Sequence, residues 1–254
     1  MYSALTEPLP DLAAYLRRIG IQEDTLEPTK ENLDRLIYAQ LTHVPFEDLT
    51  VYRDRACPDL GIPALFDKIV SRRRGGYCFE LNALFYALLQ AVGYDVYPVA
   101  CRIRYGFDML RPLSHRASIV TIDGKKYFAD VGYGGPSAHC AVPFDGEAEG
   151  FFIRPEGNFT NVCRHEEDGD KKVISFDDRP FLPIDFIPLN YQIAMAPDSY
   201  FRMMLLVNLT TATGSKSITG DVYKCHDNGK VTERKLSSEE ELLQTLKDEF
   251  GICL

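Results

Sequence analysis
The chain has 254 residues, of which 45% are hydrophobic and 26% charged, with a formal net charge of −9. This is globular composition, with apolar material for a sizeable core in one large domain or two to three small ones. The acidic balance speaks against nucleic acid or an anionic membrane as the main partner, and no apolar run nears the roughly 20 residues of a membrane span. The opening "MYSALTEPLP" lacks the basic and apolar regions of a signal peptide. Seven cysteines, an odd number with no repeated short spacing, suit free thiols in a reducing cytoplasm better than a disulfide framework.

The first third reads as helical. Leu12, Tyr15, Leu16 and Ile19 share a face, and Gly20 follows as a stop. Thr29 caps a second helix, with Leu33, Leu36, Ile37, Leu41 and Val44 on its apolar side and Pro45 at its end. Leu65, Phe66, Ile69 and Val70 form a shorter third face. A fourth helix, "CFELNALFYALLQAV", starts at Cys78 and stops at Gly93. From Asp95 the period changes. "DVYPVACRIRYG", "HRASIVTI" and "KKYFADV" read as strands, and strand or loop signals continue through "FFIRPEG", "KKVISF" and "YFRMMLLVNL". Asp177 to Pro197, with four prolines, reads as a linker. "SSEEELLQTLKDEFGI" closes the chain as a helix capped by Ser237 or Ser238.

Within "RRRGGYCFELN", Gly75 and Gly76 punctuate the chain, so Cys78 falls in the first turn of the fourth helix. Free N–H groups and the positive end of the helix dipole meet there, and both stabilise a thiolate. Taken alone, Cys78 is as readily a small core residue; a working thiol needs a base and a group to orient that base. The segment "SHRASIVTIDGKKYFADVGYGG" supplies candidates. Asp123-Gly124 signals a two-residue type I′ hairpin. In that register Val120 faces Tyr127 and Ala117 faces Asp130, so His115, Ala117 and Asp130 share one face. His115 and Asp130 become diagonal neighbours, roughly 7 Å apart at the backbone, which two side chains bridge. His43, His139, His165 and His226 show no metal-ligand spacing. "ATGSKS" lacks the first glycine of a phosphate-binding loop.

Together "THVPFEDL", "RGGYCFELN" and the hairpin segment resemble the arylamine N-acetyltransferases, of bacterial type. "SYFRMMLLVN", "SITGDVYK" and "LKDEFGICL" extend the resemblance in family order over nearly the full length. The resemblance implies an α+β fold: an N-terminal helical bundle (1–92), a central β-barrel (93–190) and a C-terminal α/β lid (191–254), with a cysteine-protease-like triad. It implies Cys78, His115 and Asp130 as that triad, working by two-step acetyl transfer from acetyl-CoA to an aromatic amine or hydrazine, without metal. It also implies a Glu47–Arg74 ion pair bracing the nucleophile loop and Phe46 and Tyr133 lining the amine pocket. Gly134, Gly135, Thr219 and Gly220 are its CoA contacts, whereas Arg72 and Arg73 read as solvated surface. A cytoplasmic monomer or weak homo-oligomer is expected. Rival readings are an amide synthase or other acyltransferase on this scaffold with a longer acyl donor, and a transglutaminase-like hydrolase. The C-terminal piece looks shorter than in many family members, which would favour the amide synthase.

Overall fold
Side-chain caps start the first two α-helices. In the computed structural model, which describes residues 2–107 and 109–254, the Asp11 carboxylate accepts from the Ala14 N–H and opens α1 (Leu12–Arg18). The Thr29 hydroxyl accepts from the Asn32 N–H and opens α2 (Lys30–His43). A two-residue strand, β1 (Phe46–Glu47), and the single turn α3 (Leu49–Tyr52) follow. α4 (Ile62–Phe66) runs on into a wider π-helical turn at Asp67–Ser71. α5 (Cys78–Val92) spans the residues its periodicity predicts and closes at Gly93, whose φ of +102° favours a residue without a Cβ. It is buried on nearly every side, as expected of an almost wholly apolar helix.

The barrel begins with β2 (Asp95–Ile103), β3 (His115–Ile122) and β4 (Lys125–Ala129). Asp123 and Gly124 both have positive φ, 51° and 75°, as a type I′ turn requires, and Val120 pairs with Tyr127 as the turn predicts. The short strands β5 (Val142–Pro143) and β6 (Glu147–Ala148) precede β7 (Phe151–Glu156), β8 (Phe159–Arg164) and β9 (Lys171–Phe176). The hydrogen-bonded order is β5-β4-β3-β2-β9-β8-β7-β6, and β5 returns against β6 and β7, so the barrel is nearly closed. The sequence pattern misses β8 because a buried polar residue, Asn161, interrupts its apolar alternation. Asn161 is satisfied from the two neighbouring strands: its amide donates to the Arg154 carbonyl on β7 and its oxygen accepts from the Ser175 hydroxyl on β9.

The expected linker at Asp177–Pro197 is wrong. Its prolines punctuate a helix. Pro183 starts a 3₁₀ turn at Pro183–Asp185, and Pro188 lies in the first turn of α6 (Phe186–Met195), where an N–H has no intrahelical partner to lose. Phe186, Asn190 and Ala194 are buried, and Phe186 packs on Phe79 of α5. α6 therefore belongs to the helical core, and a boundary at 190/191 cuts through it. "YFRM", read as part of a strand, is the helical turn α7 (Tyr200–Met203). Beyond it β10 (Leu206–Thr211), β11 (Gly214–Thr219), β12 (Val222–Asp227) and β13 (Lys230–Lys235) form a meander. β1 joins its edge by pairing Phe46 with Asn208. Ser238 is the cap of α8 (Glu239–Phe250), accepting from the Glu241 N–H. Three apolar clusters result: the helical core, the barrel interior, and a third between the meander, α8 and Leu49. All seven cysteines are free, and among the described residues no helix is long and apolar enough to cross a membrane.

Phe186 separates a linker from a core helix. Phe186→Ala should cost about 3–5 kcal/mol, read as a lower urea midpoint, whereas a change in a solvated linker would stay within about 0.5 kcal/mol.

Candidate active site
The double glycine before Cys78 is required by close packing. A Cβ on Gly75 would lie 1.9 Å from the Pro45 carbonyl oxygen, and one on Gly76 would lie 2.8 Å from the Glu80 Cβ. The bare backbone lets the chain run against β1, where Phe46 bridges to Gly76. The Glu80 carboxylate then accepts from the Tyr77 N–H at 3.1 Å and fixes the start of α5. The Tyr77 hydroxyl bonds the Asn190 amide oxygen of α6, and Asn190 in turn donates to the Pro58 carbonyl. Cys78 is thus the first residue of a helix whose start is held from several sides.

The hairpin delivers the other two groups. His115 Nε2 lies 2.6 Å from Asp130 Oδ2, with both residues buried. The other Asp130 oxygen accepts from the Gly132 N–H and from Asn82 Nδ2, each at 2.9 Å. The Cys78 sulfur lies 3.8 Å from the carbonyl oxygen of Ser114, the residue directly before His115. Burial would push the imidazole below its usual 6.5. The Asp130 carboxylate, by charge and hydrogen bond, and the Cys78 sulfur outweigh burial and raise it to about 10. His115 therefore keeps its proton at neutral pH.

Asn82 was missing from the sequence reading. Besides Asp130 it donates to the Arg116 carbonyl at 2.7 Å and accepts from the Val131 N–H at 3.1 Å, tying α5 to both arms of the hairpin. The available signal was a polar residue one turn after Cys78 on an apolar helix. Gly132 makes this fit possible, because a Cβ there would meet Asn82 Nδ2 at 2.8 Å and the Cys78 Cα at 2.9 Å.

A second charged group braces the loop before Cys78. Arg74 donates to Glu47 Oε1 from Nε at 3.1 Å and from Nη2 at 2.8 Å, which gives the Glu47–Arg74 pair its geometry. Lys68 lies 2.7 Å from Glu80 and 3.4 Å from Glu47. Burial would raise the Glu47 carboxyl, but Lys68 and Arg74 hold it below its usual range. Buried Arg18, also missed, donates to the carbonyls of Ile69 and His43 and reaches those of Arg73 and Arg74. Arg72 is exposed and pairs with Asp67.

Phe46 is buried against Phe201, with ring centroids 6.3 Å apart, and Tyr133 meets the His115 ring edge-on at 5.8 Å. Phe201 also packs on Tyr77 and was hidden by the strand reading of α7. The space beside Gly134 is occupied by the Phe46 ring, and that beside Gly135 by the ring of Tyr133. Thr219 is the last residue of β11, and Gly220 with Asp221 forms the turn to β12. Gly220 donates to the Leu205 carbonyl, and among the described residues no hydrogen bond joins the turn to Cys78, His115 or Asp130. A cavity behind Tyr133, bounded by Phe128, Asp130, Ala138, Cys140 and Val142, measures about 20 Å³. It has room for about one water and none for an aromatic ring.

The family model described as N-acetyltransferase matches residues 29–254. Human arylamine N-acetyltransferase 1 is 30% identical over 96% of this chain and 94% of its own length. The arylamine N-acetyltransferase of Salmonella typhimurium superposes with a TM-score of 0.88 at 27% identity, covering 97% of this chain and 92% of that one. That of Mycobacterium marinum in complex with CoA gives a TM-score of 0.85 at 26% identity, over 95% and 93% of the two chains. Sequence and fold agree over nearly the whole length, and the chain belongs to the arylamine N-acetyltransferase family.

Proposed function
We propose that the chain transfers an acetyl group from acetyl-CoA to an arylamine or arylhydrazine, carrying it in between on Cys78. The observation that supports this best is the buried His115–Asp130 pair, 2.6 Å apart, with Asp130 held by Asn82 of the same helix that Cys78 begins. A thiol at that helix start is a ready nucleophile toward a thioester, which acetyl-CoA supplies. The N–H of Cys78, at the start of α5, is the candidate donor to the oxyanion of the tetrahedral species. Asp130 fixes the tautomer and orientation of His115, and Asn82 fixes Asp130.

Aromatic amines are weakly basic and largely neutral near pH 7, so the acceptor attacks the acetylated Cys78 as the free base. His115 gives its proton to the departing CoA thiolate in the first half of the transfer and, then neutral, takes the amine proton as the second tetrahedral species collapses. Dividing the transfer at the cysteine gives ping-pong kinetics. Phe46 and Tyr133, joined by Phe201, are the aromatic surfaces for the acceptor ring. The Tyr133 phenol favours amines bearing a hydroxyl or carboxyl group. Gly134, Gly135, Thr219 and Gly220 remain candidate CoA contacts at backbone level. The free thiols suit a reducing cytoplasm.

Intact mass after acetyl-CoA alone, without amine, tests the reading. Wild type should gain about 42 Da and Cys78→Ala nothing. A folded wild type with no gain would sink acetyl-CoA as donor. Asp130→Asn should lower kcat by about 10³- to 10⁴-fold through loss of the oriented tautomer. Asn82→Ala should lower it about 10²-fold with little change in the amine KM, because it misplaces groups that do not touch the amine.

The His115–Asp130 pair also makes stability depend on pH. The folded protein binds the His115 proton more tightly than the unfolded chain, so the pair stabilises the fold fully below about 6.5. That contribution is lost as pH rises through about 10. The gap in urea midpoint between wild type and Asp130→Asn should therefore be widest near pH 6 and narrow toward pH 10.5.

A further inference from the structure
An acceptor ring has to find room among Phe46, Tyr133 and Phe201. The Phe46 ring fills the space beside Gly134, and the cavity behind Tyr133 measures about 20 Å³. Neither place takes an aromatic ring until a wall moves. Two of the walls are fixed. Phe46 is 8% exposed on β1, and it pairs with Asn208 of β10 and bridges to Gly76. Tyr133 packs on the barrel interior and edge-on to His115. Phe201 stands on α7, a single turn with no buried residue, and its neighbours Tyr200 and Met203 are 52% and 61% exposed. A segment with so few buried contacts opens at low cost.

The two ends of this segment are anchored. Before α7, the Ser199 N–H donates to the Ala196 carbonyl and the Ser199 hydroxyl to the Ile193 carbonyl, which ties the turn to the end of α6. After α7, the Leu205 carbonyl accepts from the Gly220 N–H, and the Leu206 N–H donates to Asp48 Oδ1 at 2.9 Å. Between these ends, among the described residues, one hydrogen bond reaches α7 from beyond α6: the Arg55 guanidinium donates to the Arg202 carbonyl. Arg55 is exposed, and its guanidinium also lies over the Tyr52 ring, 5.4 Å from the centroid. Its φ is +55°, in the left-handed region where any residue with a Cβ is strained. Such a backbone persists where surrounding contacts hold it, and those of this side chain are the Tyr52 ring and α7.

We propose that α7 is the moving wall of the acceptor pocket and that Arg55 is the positioning residue that limits its swing: by holding the Arg202 carbonyl, Arg55 keeps Phe201 close to Phe46 and sets how large an aromatic amine is accepted. Opening draws the Phe201 ring away from Phe46, 6.3 Å off between centroids, while Cys78, His115 and Asp130 stay in place. The inference rests on the proposed transfer to an aromatic amine, and it leaves the loading of Cys78 untouched.

Arg55→Ala is the test, because the side chain is exposed and its loss leaves the interior alone. With acetyl-CoA as donor, kcat/KM is measured for aniline, which has one ring, and for 2-aminonaphthalene, which has two. The two-ring to one-ring ratio should rise about fivefold in Arg55→Ala, the order expected when one charged hydrogen bond no longer opposes opening. The rate of Cys78 acetylation without amine, followed by intact mass, should match wild type, and so should the melting temperature. Arg202→Ala should keep the wild-type ratio, because the bond goes to a backbone carbonyl that this change retains. A ratio that does not move in Arg55→Ala overturns the inference. So does an equal fall for both amines together with slower loading, which would make Arg55 a support of the fold. An equal rise in Arg202→Ala would trace the effect to surface charge and overturn it too. A wild type that loads no acetyl group, or loads it and acetylates neither amine, overturns the reading on which the inference rests and the inference with it.

Discussion

A buried carboxylate held against an imidazole is the contact on which the rest of this structure depends. Asp130 is satisfied by His115, by the Gly132 N–H and by Asn82, so both of its oxygens are engaged away from water. Each of these donors imposes a requirement. His115 and Asp130 must share a barrel face, which fixes the hairpin register. Asn82 must lie one turn beyond Cys78, which fixes the rotation of α5 against β3. Gly132 must lack a Cβ, because the Cys78 backbone occupies that space. An unsatisfied group here would cost more than any single contact returns, so the three elements hold one arrangement.

The same economy of buried charge shapes the loop before Cys78. Gly75 and Gly76 bring the chain against β1, and β1 belongs to the sheet of the C-terminal meander. Glu47 on β1 gathers Arg74 and Lys68, and Lys68 reaches Glu80, which caps α5. The start of α5 is thereby tied to the third apolar cluster as well as to the barrel. Buried ionic networks of this kind contribute little net stability against apolar replacements, but removing one member leaves an uncompensated charge. Such a network resists partial change, which suits a site whose backbone must not drift.

Legibility from the sequence followed the range of the interaction. Thr29, Ser238 and Gly93 act within a turn of their own position, and the helix ends they imply are where the structure has them. Asp123-Gly124 acts over a hairpin, and its positive-φ turn carried the register far enough to bring His115 and Asp130 together. The failures were all non-local. The prolines of 177–197 suggested a linker because their positions within a helix were invisible until Phe186 and Asn190 had partners in α5 and the Pro58 loop. Asn161 hid a strand because its partners lie on β7 and β9. Asn82 and Arg18 looked like ordinary polar residues because the carbonyls they satisfy lie dozens of positions away.

The sequence by itself determined where α2, α5 and α8 start and stop, how the central hairpin pairs and which residues could serve as thiol, base and orienting carboxylate. These follow from dihedral preference, capping and side-chain alternation, all of which act between near neighbours. The resemblance of its motifs to the arylamine N-acetyltransferases added the family. Only the tertiary structure decided which groups are desolvated together. It set the elevated affinity of His115 for its proton, the dependence of Asp130 on Asn82, and the filling of the Gly134 and Gly135 spaces by aromatic rings. Electrostatic strength depends on burial and on distances across elements, and no local pattern in the chain encodes either.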